Sequence, residues 1–286
     1  MIRPIFVPMA PACTSTSASA EICIASHHGY MARKGGHAIG VAAKGTSRSN
    51  WLLAAREQRL FFNRRKPAMR TAADFNLYYA TPDPWHISHA QFRDKVLRRR
   101  LKPFVRNKSV LELGCGEGHL THAVFGKARS VVGIDISDVA IARAKSLNLP
   151  NARFESGDFL QASFEGYDVI TALECVYYLS FQEQGVFLEK VAKEHAGKIL
   201  LLSGPIVDYR RHFSHKRLMH EFTTLGFAPL KFNNLSLYWY PASSRLIANL
   251  IKLPLGYTLL DWIPESMVYQ RLYVLRAPKR PDSDIQ

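Results

Sequence analysis

From residue 108 onward, short apolar runs alternate with longer segments in which apolar residues recur at helical spacing. The apolar runs predict strands at residues 109–113, 130–134, 152–155, 167–173, 198–203, 227–232 and 271–275. The helical spacing predicts helices at residues 88–100, 119–125, 138–147, 181–194 and 215–225, with Ser137 as a cap and Gly226 as a stop. Because strands alternate with helices, we predict an α/β fold with a doubly wound, mainly parallel, seven-stranded sheet.

The composition changes near Met69, where we expect the folded domain to begin. Residues 1–68 start with a long stretch rich in Ala, Ser, Thr, Gly and Pro, which buries too little apolar surface to offset its ordering entropy. We predict a disordered basic tail, which is either a targeting segment or the product of a start codon placed too early. Residues 69–286 form the predicted domain, and residues 233–269 form an apolar, aromatic, lid-like insertion between its last two strands.

The distribution of charge along the chain weakens the case for nucleic-acid binding that the total net charge makes. The 286 residues carry a formal net charge of +15, and such an excess is typical of nucleic-acid binding. The tail holds ten Lys and Arg against two acids, so it contributes +8 and leaves +7 for the rest of the chain. We therefore expect no nucleic-acid partner for the domain.

Other bulk features narrow the class of protein further. No apolar run reaches 18 residues, so we expect no transmembrane segment. The four cysteines show neither metal-ligand spacing nor a disulfide framework, so we expect no metal site and a cytoplasmic location. The sequence makes no prediction of the oligomeric state.

The stretch at residues 110–121, VLELGCGEGHLT, is an apolar strand that breaks into alternating glycines. Gly114, Gly116 and Gly118 can take positive φ values and leave no Cβ in the way of a ligand. In open α/β sheets, ligands bind at the carboxyl ends of strands, beside a helix N-terminus. This loop is therefore the predicted centre of a cofactor site.

The residues around the loop indicate which cofactor it binds. A dinucleotide fingerprint needs a small residue where His119 stands, and a triphosphate loop needs a Lys followed by Ser or Thr. Glu112 repels phosphates and favours a cation. Asp135 ends the second strand and can accept both ribose hydroxyls, while Asp158 and Phe159 follow the third strand and can bind an adenine. An adenosine with a cationic arm, such as S-adenosylmethionine, fits this pattern.

Four motifs carry a resemblance to a known family. ELGCGEG at 112–118, GIDIS at 133–137, GDF at 157–159 and YDVI at 167–170 resemble, in order and spacing, the motifs of class I S-adenosylmethionine-dependent methyltransferases. The resemblance implies a Rossmann-like methyltransferase fold with S-adenosyl-L-methionine as the cofactor. The implied cofactor-binding residues are Glu112, Gly114, Cys115, Gly116, Gly118, Asp135, Ile136, Asp158, Phe159 and Glu174.

Two further segments are similar to a narrower group. DPW at 83–85 and ECVYYL at 174–179 resemble the nodulation-type N-methyltransferases, which methylate the deacetylated end of a chitooligosaccharide. This likeness implies a small-molecule amine or hydroxyl acceptor, such as an amino sugar or oligosaccharide. The alternatives are a nucleic-acid methyltransferase and a non-catalytic protein that binds S-adenosylmethionine.

Methyl transfer needs a lone pair aimed at the methyl group, and a base only where the acceptor is protonated. Glu174 is the first candidate catalytic residue because it can take that proton or orient an amine; its alternative role is to cap a helix or support another residue. Tyr177 can wall the acceptor or belong to the core. His212 is a candidate base for a hydroxyl acceptor, with a surface or capping role as the alternative. Trp85 and Tyr78 form an N-terminal lid or simply pack.

Overall fold

The computed structural model describes residues 71–84, 87, 91–206, 214–237, 253 and 255–279, with the side chains of residues 91–94 excepted. The predicted tail, Trp85, His212 and residues 238–252 and 254 of the predicted insertion lie outside these residues. Within the described part of the chain, no helix is both long enough and apolar enough to cross a bilayer.

The described residues form six α-helices and seven β-strands. The helices are α1 Ala72–Tyr78, α2 Gln91–Val105, α3 His119–Val124, α4 Asp138–Ser146, α5 Phe181–Glu194 and α6 His215–Thr224. The strands are β1 Ser109–Leu113, β2 Ser130–Asp135, β3 Ala152–Ser156, β4 Val169–Leu173, β5 Ile199–Pro205, β6 Ala228–Leu237 and β7 Val268–Arg276. Short 3₁₀ turns span Val176–Tyr178, Gly256–Trp262 and Glu265–Met267.

The strands form one sheet in the order β3-β2-β1-β4-β5-β7-β6. Strands β1 to β5 pair in parallel, and β7 is antiparallel to both of its neighbours, β5 and β6. The predicted doubly wound, mainly parallel, seven-stranded sheet is therefore confirmed. The chain order reverses between β1 and β4, and ligands of such sheets bind in the crevice at the carboxyl edge beside this point.

Helices cover both faces of the sheet and bury its centre. Phe187 of α5 and Phe222 of α6 lie in the core on one face with Leu200 of β5. On the other face, Leu101 of α2 packs with Val110 of β1. Strands β1 and β4 are buried along their whole length, which explains why they read as continuous apolar runs in the sequence.

Local signals set the ends of several helices as predicted. Ser137 caps α4, because its Oγ accepts a hydrogen bond from the N–H of Ala140 at 3.1 Å. Gly226 follows α6 with a φ of 75°, and the next residue, Phe227, donates its N–H to the oxygen of Phe222 at 2.8 Å. This is the Schellman arrangement that a glycine after a helix favours.

The two C-terminal strands are longer than the pattern predicts. Strand β6 continues through Asn233, Asn234 and Ser236, which are all buried although they are polar. Asn233 Nδ2 and the N–H of Asn234 donate to the carboxylate of Asp261 at 2.9 and 2.8 Å, which offsets their burial. Polar residues with such partners interrupt the apolar pattern without ending the strand.

Candidate functional site

The glycine loop after β1 folds over the end of β2. Gly114, Gly116 and Gly118 have φ values of 68°, 54° and 77°, as their positions in the sequence predict. The N–H groups of Gly114 and Cys115 both donate to the oxygen of Ile134, at 2.8 and 3.1 Å. These bonds fix the loop against the neighbouring strand, where the carboxyl edge of the sheet begins.

Neighbouring side chains use the space that the missing Cβ atoms leave. A Cβ on Gly114 would lie 2.5 Å from Cβ of Cys175, and one on Gly116 would lie 2.7 Å from the hydroxyl of Tyr79. The sequence predicts glycine here for the approach of a ligand. The structure adds a second reason, because the loop is also packed against the turn after β4 and against the segment after α1.

Glu112 lies beneath the loop with only 2% of its surface exposed. Thr121 Oγ1 lies 2.5 Å from Oε2 of Glu112. Burial raises the pKa of Glu112 to about 8; the bond from Thr121 opposes that rise, and the charge of Asp135 adds to it. The carboxyl is therefore mostly protonated at neutral pH until a cation binds nearby.

Asp135, at the end of β2, is 7% exposed and hydrogen-bonded through both oxygens. Oδ1 accepts from the N–H of Ser137 and Oδ2 from the N–H of Gly116, each at 2.9 Å. Burial raises the pKa of Asp135, and the backbone donors oppose that rise. The carboxylate thus links the glycine loop to the start of α4. Its predicted contact with a ribose remains a prediction.

The predicted adenine-binding residues follow the end of β3, and Ile136, predicted to bind the cofactor, follows the end of β2. Asp158 is exposed, and its Oδ1 accepts from the N–H of Leu160 at 2.9 Å. Phe159 is half-buried, with its ring 6.0 Å from that of Phe187 in an edge contact. Ile136 is half-buried beside Asp135. The roles of these residues in binding remain predictions.

Glu174 forms a strained turn directly after β4. Its φ of 60° is unusual for a residue with a side chain, and its N–H donates to the oxygen of Ser203 at 3.1 Å. Its Oε1 accepts from Oγ of Ser203 at 2.8 Å and its Oε2 from Nε2 of Gln270 at 2.6 Å. Helix α5 is capped by Ser180, so Glu174 does not serve as its cap.

Tyr177 lies in the 3₁₀ turn after Glu174 and is only 6% exposed. Its ring is 4.8 Å from that of Tyr178, which in turn makes an edge contact with Phe75 of α1 at 5.3 Å. The pKa of both tyrosines is raised, and burial is the largest cause. Neither phenol can therefore act as a base near neutral pH, so the chemical role left to Tyr177 is packing or hydrogen bonding.

The segment 71–84 packs on the site, and the sequence predicts a lid role there only for Tyr78 and the neighbouring Trp85. Asn76 Oδ1 accepts from Oγ of Ser137 at 2.7 Å. Arg143 Nη1 donates to the oxygen of Tyr79 at 2.7 Å. The predicted lid role of Tyr78 and Trp85 rested on aromatic residues before α2, but nothing in the sequence indicates the polar contacts.

Three possible metal ligands, Asp83, Glu117 and His119, lie within 4.8 Å of one another, although the sequence predicts no metal site. Glu117 Oε2 accepts from the N–H of Asp83 at 2.8 Å, and Oε1 binds Arg143 Nη1 at 2.5 Å. Burial opposes ionisation of Glu117, but hydrogen bonds from His119, Arg143 and the N–H of Asp83 lower its pKa overall. These contacts give Glu117 protein partners, and the absence of a metal site remains a prediction.

Comparison with known proteins identifies the domain. Residues 104–223 match the family model described as a methyltransferase domain. These residues form a methyltransferase domain. The matched region contains the glycine loop, the acidic residues at the strand ends and the five parallel strands of the sheet. The predicted class, a class I S-adenosylmethionine-dependent methyltransferase, is therefore confirmed for this domain, and with it the class of cofactor.

Individual relatives of the methyltransferase domain differ in their substrates. The chain is 28% identical over 107 residues to nodulation protein S of Azorhizobium caulinodans, covering 36% of this chain and 52% of that protein. It is 36% identical over 90 residues to trans-aconitate 2-methyltransferase of Deinococcus radiodurans, covering 29% of this chain and 33% of that protein. The chain thus spans about half the length, or less, of these curated relatives.

A solved structure supports the same fold. The N-methyltransferase NodS from Bradyrhizobium japonicum, in complex with S-adenosyl-l-homocysteine, superposes with a TM-score of 0.50 at 18% identity. The match covers 70% of this chain and 94% of that chain. At this identity the likeness shows the fold of the methyltransferase domain and not its acceptor.

Proposed function

We propose that the protein transfers a methyl group from S-adenosylmethionine to a small-molecule amine or hydroxyl acceptor, with an amino sugar or oligosaccharide as the first candidate. One observation carries the proposal. Asp135 accepts a hydrogen bond from the N–H of Gly116, and Gly114 packs against Cys175, the residue that follows Glu174. These carboxylates therefore converge on one point at the carboxyl edge of the sheet, beside the glycine loop.

A site of this charge suits a cationic ligand better than a phosphate. When bound, S-adenosylmethionine supplies a methyl group on a positively charged sulfur. Buried carboxylates attract such a cation strongly, because the surrounding dielectric is low. In this proposal the loop backbone at 114–118 faces the methionine part of the cofactor, Asp135 binds the ribose, and Asp158 and Phe159 bind the adenine.

The residues of the chain contribute mainly by positioning. Glu174 borders the acceptor and accepts a hydrogen bond from its N–H or O–H group, which aims the lone pair at the methyl group. Holding two reactants in line supplies a large part of the acceleration in such displacements. Tyr177 forms part of the wall and does not act as a base. His212 remains a predicted base that lies outside the described residues.

We also propose that the domain extends over residues 69–286 and that it works in the cytoplasm. Both cysteines in the described part of the chain, Cys115 and Cys175, are free thiols, which supports a reducing compartment. The proposed partner is the small-molecule acceptor, and no nucleic acid is needed.

The test is an acceptor screen with methyl-labelled S-adenosylmethionine, using amines, phenols and deacetylated chitooligosaccharides. We expect label in at least one of these compounds, and much less label with the Asp135→Ala variant when the cofactor concentration is near the wild-type Kd. Labelled RNA or DNA, together with salt-dependent RNA binding that survives removal of residues 1–68, would instead support a nucleic-acid methyltransferase. Cofactor binding without transfer to any compound or extract component would support a non-catalytic protein.

A further inference from the structure

A chain of buried polar side chains leads from the edge of the sheet to Glu174. Ser236 Oγ donates to Oε1 of Gln270 at 2.7 Å, and Gln270 Nε2 donates to Oε2 of Glu174 at 2.6 Å. Ser203 Oγ donates to the other carboxylate oxygen at 2.8 Å. The residues Gln270, Ser203 and Ser236 are 1%, 0% and 7% exposed, so these three partners are shielded from solvent.

The direction of β7 explains why Gln270 reaches this place. Because β7 is antiparallel to β5, its first residues lie at the carboxyl edge, where the parallel strands end. Gln270 pairs there with Pro205 on β5 and with Ser236 on β6. A buried amide is costly unless both of its ends are hydrogen-bonded. Its partners give Gln270 one orientation, with the NH₂ group towards Glu174.

The network acts on Glu174 in two ways. The positive φ of Glu174 strains a residue with a side chain, so its surroundings must hold the turn in place. Donors to both oxygens fix the plane of the carboxylate and favour its ionised form. A carboxylate oxygen has two acceptor positions, so a donor from the protein and one from a substrate can share it.

We propose that Gln270 is a positioning residue for methyl transfer, acting through Glu174. This rests on the proposed function, in which Glu174 borders the acceptor. The acceptor's nitrogen or oxygen forms a bond to the methyl carbon, the carbon–sulfur electron pair passes to sulfur, and the acceptor's proton leaves to water. Gln270 touches none of these atoms; it holds the Glu174 carboxylate turned towards the group that carries the proton.

The first test measures the carboxylate itself and does not depend on methyl transfer. In the full-length protein labelled with ¹³C-carboxyl glutamate, the Glu174 resonance is assigned as the one lost in Glu174→Gln. Replacing Gln270 with Met keeps the shape but removes the donor. We expect the titration midpoint of the Glu174 resonance to move to higher pH by about one to two units, since a hydrogen bond to a charged group is worth about 1.5–3 kcal/mol.

A matched control comes from the same sheet. Thr171 on β4 is fully buried, and its Oγ1 donates to the oxygen of Leu111 at 3.5 Å. Thr171→Val also removes a buried hydrogen bond, yet we expect it to leave the Glu174 midpoint unchanged. An unchanged midpoint in Gln270→Met, or an equal shift in both variants, would overturn the inference.

The second test uses the labelled-methyl assay with the amines and phenols of the acceptor screen. We expect Gln270→Met to lower kcat at least tenfold while the Kd for S-adenosylmethionine changes less than twofold, and Thr171→Val to change neither. Equal losses of kcat and cofactor affinity would assign Gln270 a merely structural role and overturn the inference. If the wild-type protein methylates nothing, the proposed function fails, and a shifted midpoint would still support the effect of Gln270 on Glu174.

Discussion

Arg143 on α4 donates a hydrogen bond from Nη1 to the backbone oxygen of Tyr79 at 2.7 Å, and so ties the segment before α2 to the cofactor loop. The same nitrogen binds Oε1 of Glu117 at 2.5 Å. Glu117 belongs to the loop and also accepts from the N–H of Asp83. Two charged side chains thus hold both the end of α1 and the turn after it against the glycines.

We expect Arg143→Met to loosen this segment and to weaken cofactor binding about three- to tenfold. Each charged hydrogen bond contributes about 1.5–3 kcal/mol, and losing only part of this free energy would weaken cofactor binding by the expected factor. Hydrogen exchange should rise at residues 72–79, and calorimetry should report the affinity for S-adenosylmethionine. Arg129→Met is the control, because Arg129 pairs with Asp168 at 3.1 Å on an exposed surface away from the loop. Similar changes in both variants would contradict the prediction.

Gly116→Ala should damage the loop for two separable reasons. Its φ of 54° strains any residue with a side chain, and the new Cβ would lie 2.7 Å from the hydroxyl of Tyr79. We expect the free energy of unfolding, measured by denaturant titration, to fall by about 1–3 kcal/mol, and cofactor affinity to fall at least tenfold.

Two further variants isolate the causes of the Gly116→Ala effect. Gly126→Ala is the neutral control, since nothing lies within 4 Å of a Cβ added at Gly126. Adding Tyr79→Phe to Gly116→Ala removes the hydroxyl and leaves the ring carbon at 3.6 Å, an ordinary contact. Partial recovery in the double variant would assign part of the loss to the clash. No recovery would assign all of it to the backbone.

Asp135→Ala should weaken binding of S-adenosylmethionine about ten- to a hundredfold. The estimate is the loss of one charged hydrogen bond to the ribose, about 1.5–3 kcal/mol. Because the carboxylate also accepts from the N–H groups of Gly116 and Ser137, the variant removes support from the loop. Asp135→Asn keeps one acceptor oxygen, so calorimetry should place its affinity between those of the wild type and Asp135→Ala. Unchanged affinity in both variants would refute the assignment of Asp135 to the cofactor site.

How much of this molecule the sequence predicts depends on how local each feature is. Strand β1 and helix α5 have the predicted bounds, because one is an unbroken buried run and the other begins with the Ser180–Glu183 capping box. Glu112, Asp135 and Glu174 can be assigned to one edge because the ends of parallel strands meet there. Sequence order alone is enough for that step.

Contacts between distant strands are not predictable in the same way. Gln270 and Glu174 are 96 residues apart, and their hydrogen bond requires that β7 insert between β5 and β6. Tyr79 meets Gly116 only because α1 packs on the loop, which no periodicity reveals. The one hint of Gln270 in the sequence is its polarity, together with that of Arg271, at the start of a strand that is mainly apolar. Polar residues in buried strands are therefore worth testing as parts of a site.

Glu112 should make cofactor binding depend on pH. Its pKa of about 8 in the free protein means that the carboxyl is mostly protonated at pH 7. A cation bound nearby favours the ionised form, so binding should release close to one proton at pH 7, and affinity should rise up to about pH 8 by at most about tenfold per unit. The raised pKa of Glu112 also stabilises the folded protein, and this stabilisation is complete below pH 4.5, the pKa of the residue in the unfolded chain. The free energy of unfolding should therefore fall as pH rises from 4.5 through 8.

Glu112→Gln provides the matched comparison, because it keeps the shape and the hydrogen bond with Thr121 but cannot ionise. Calorimetry at pH 7 in two buffers of different ionisation enthalpy counts the protons released on binding. Ionisation of the cofactor's own groups contributes equally to both proteins, so the difference between them reports Glu112. We expect the wild type to release close to one proton more than Glu112→Gln. Equal release from both proteins would mean that Glu112 keeps its proton when the cofactor binds, and would remove it from the groups that attract the cation.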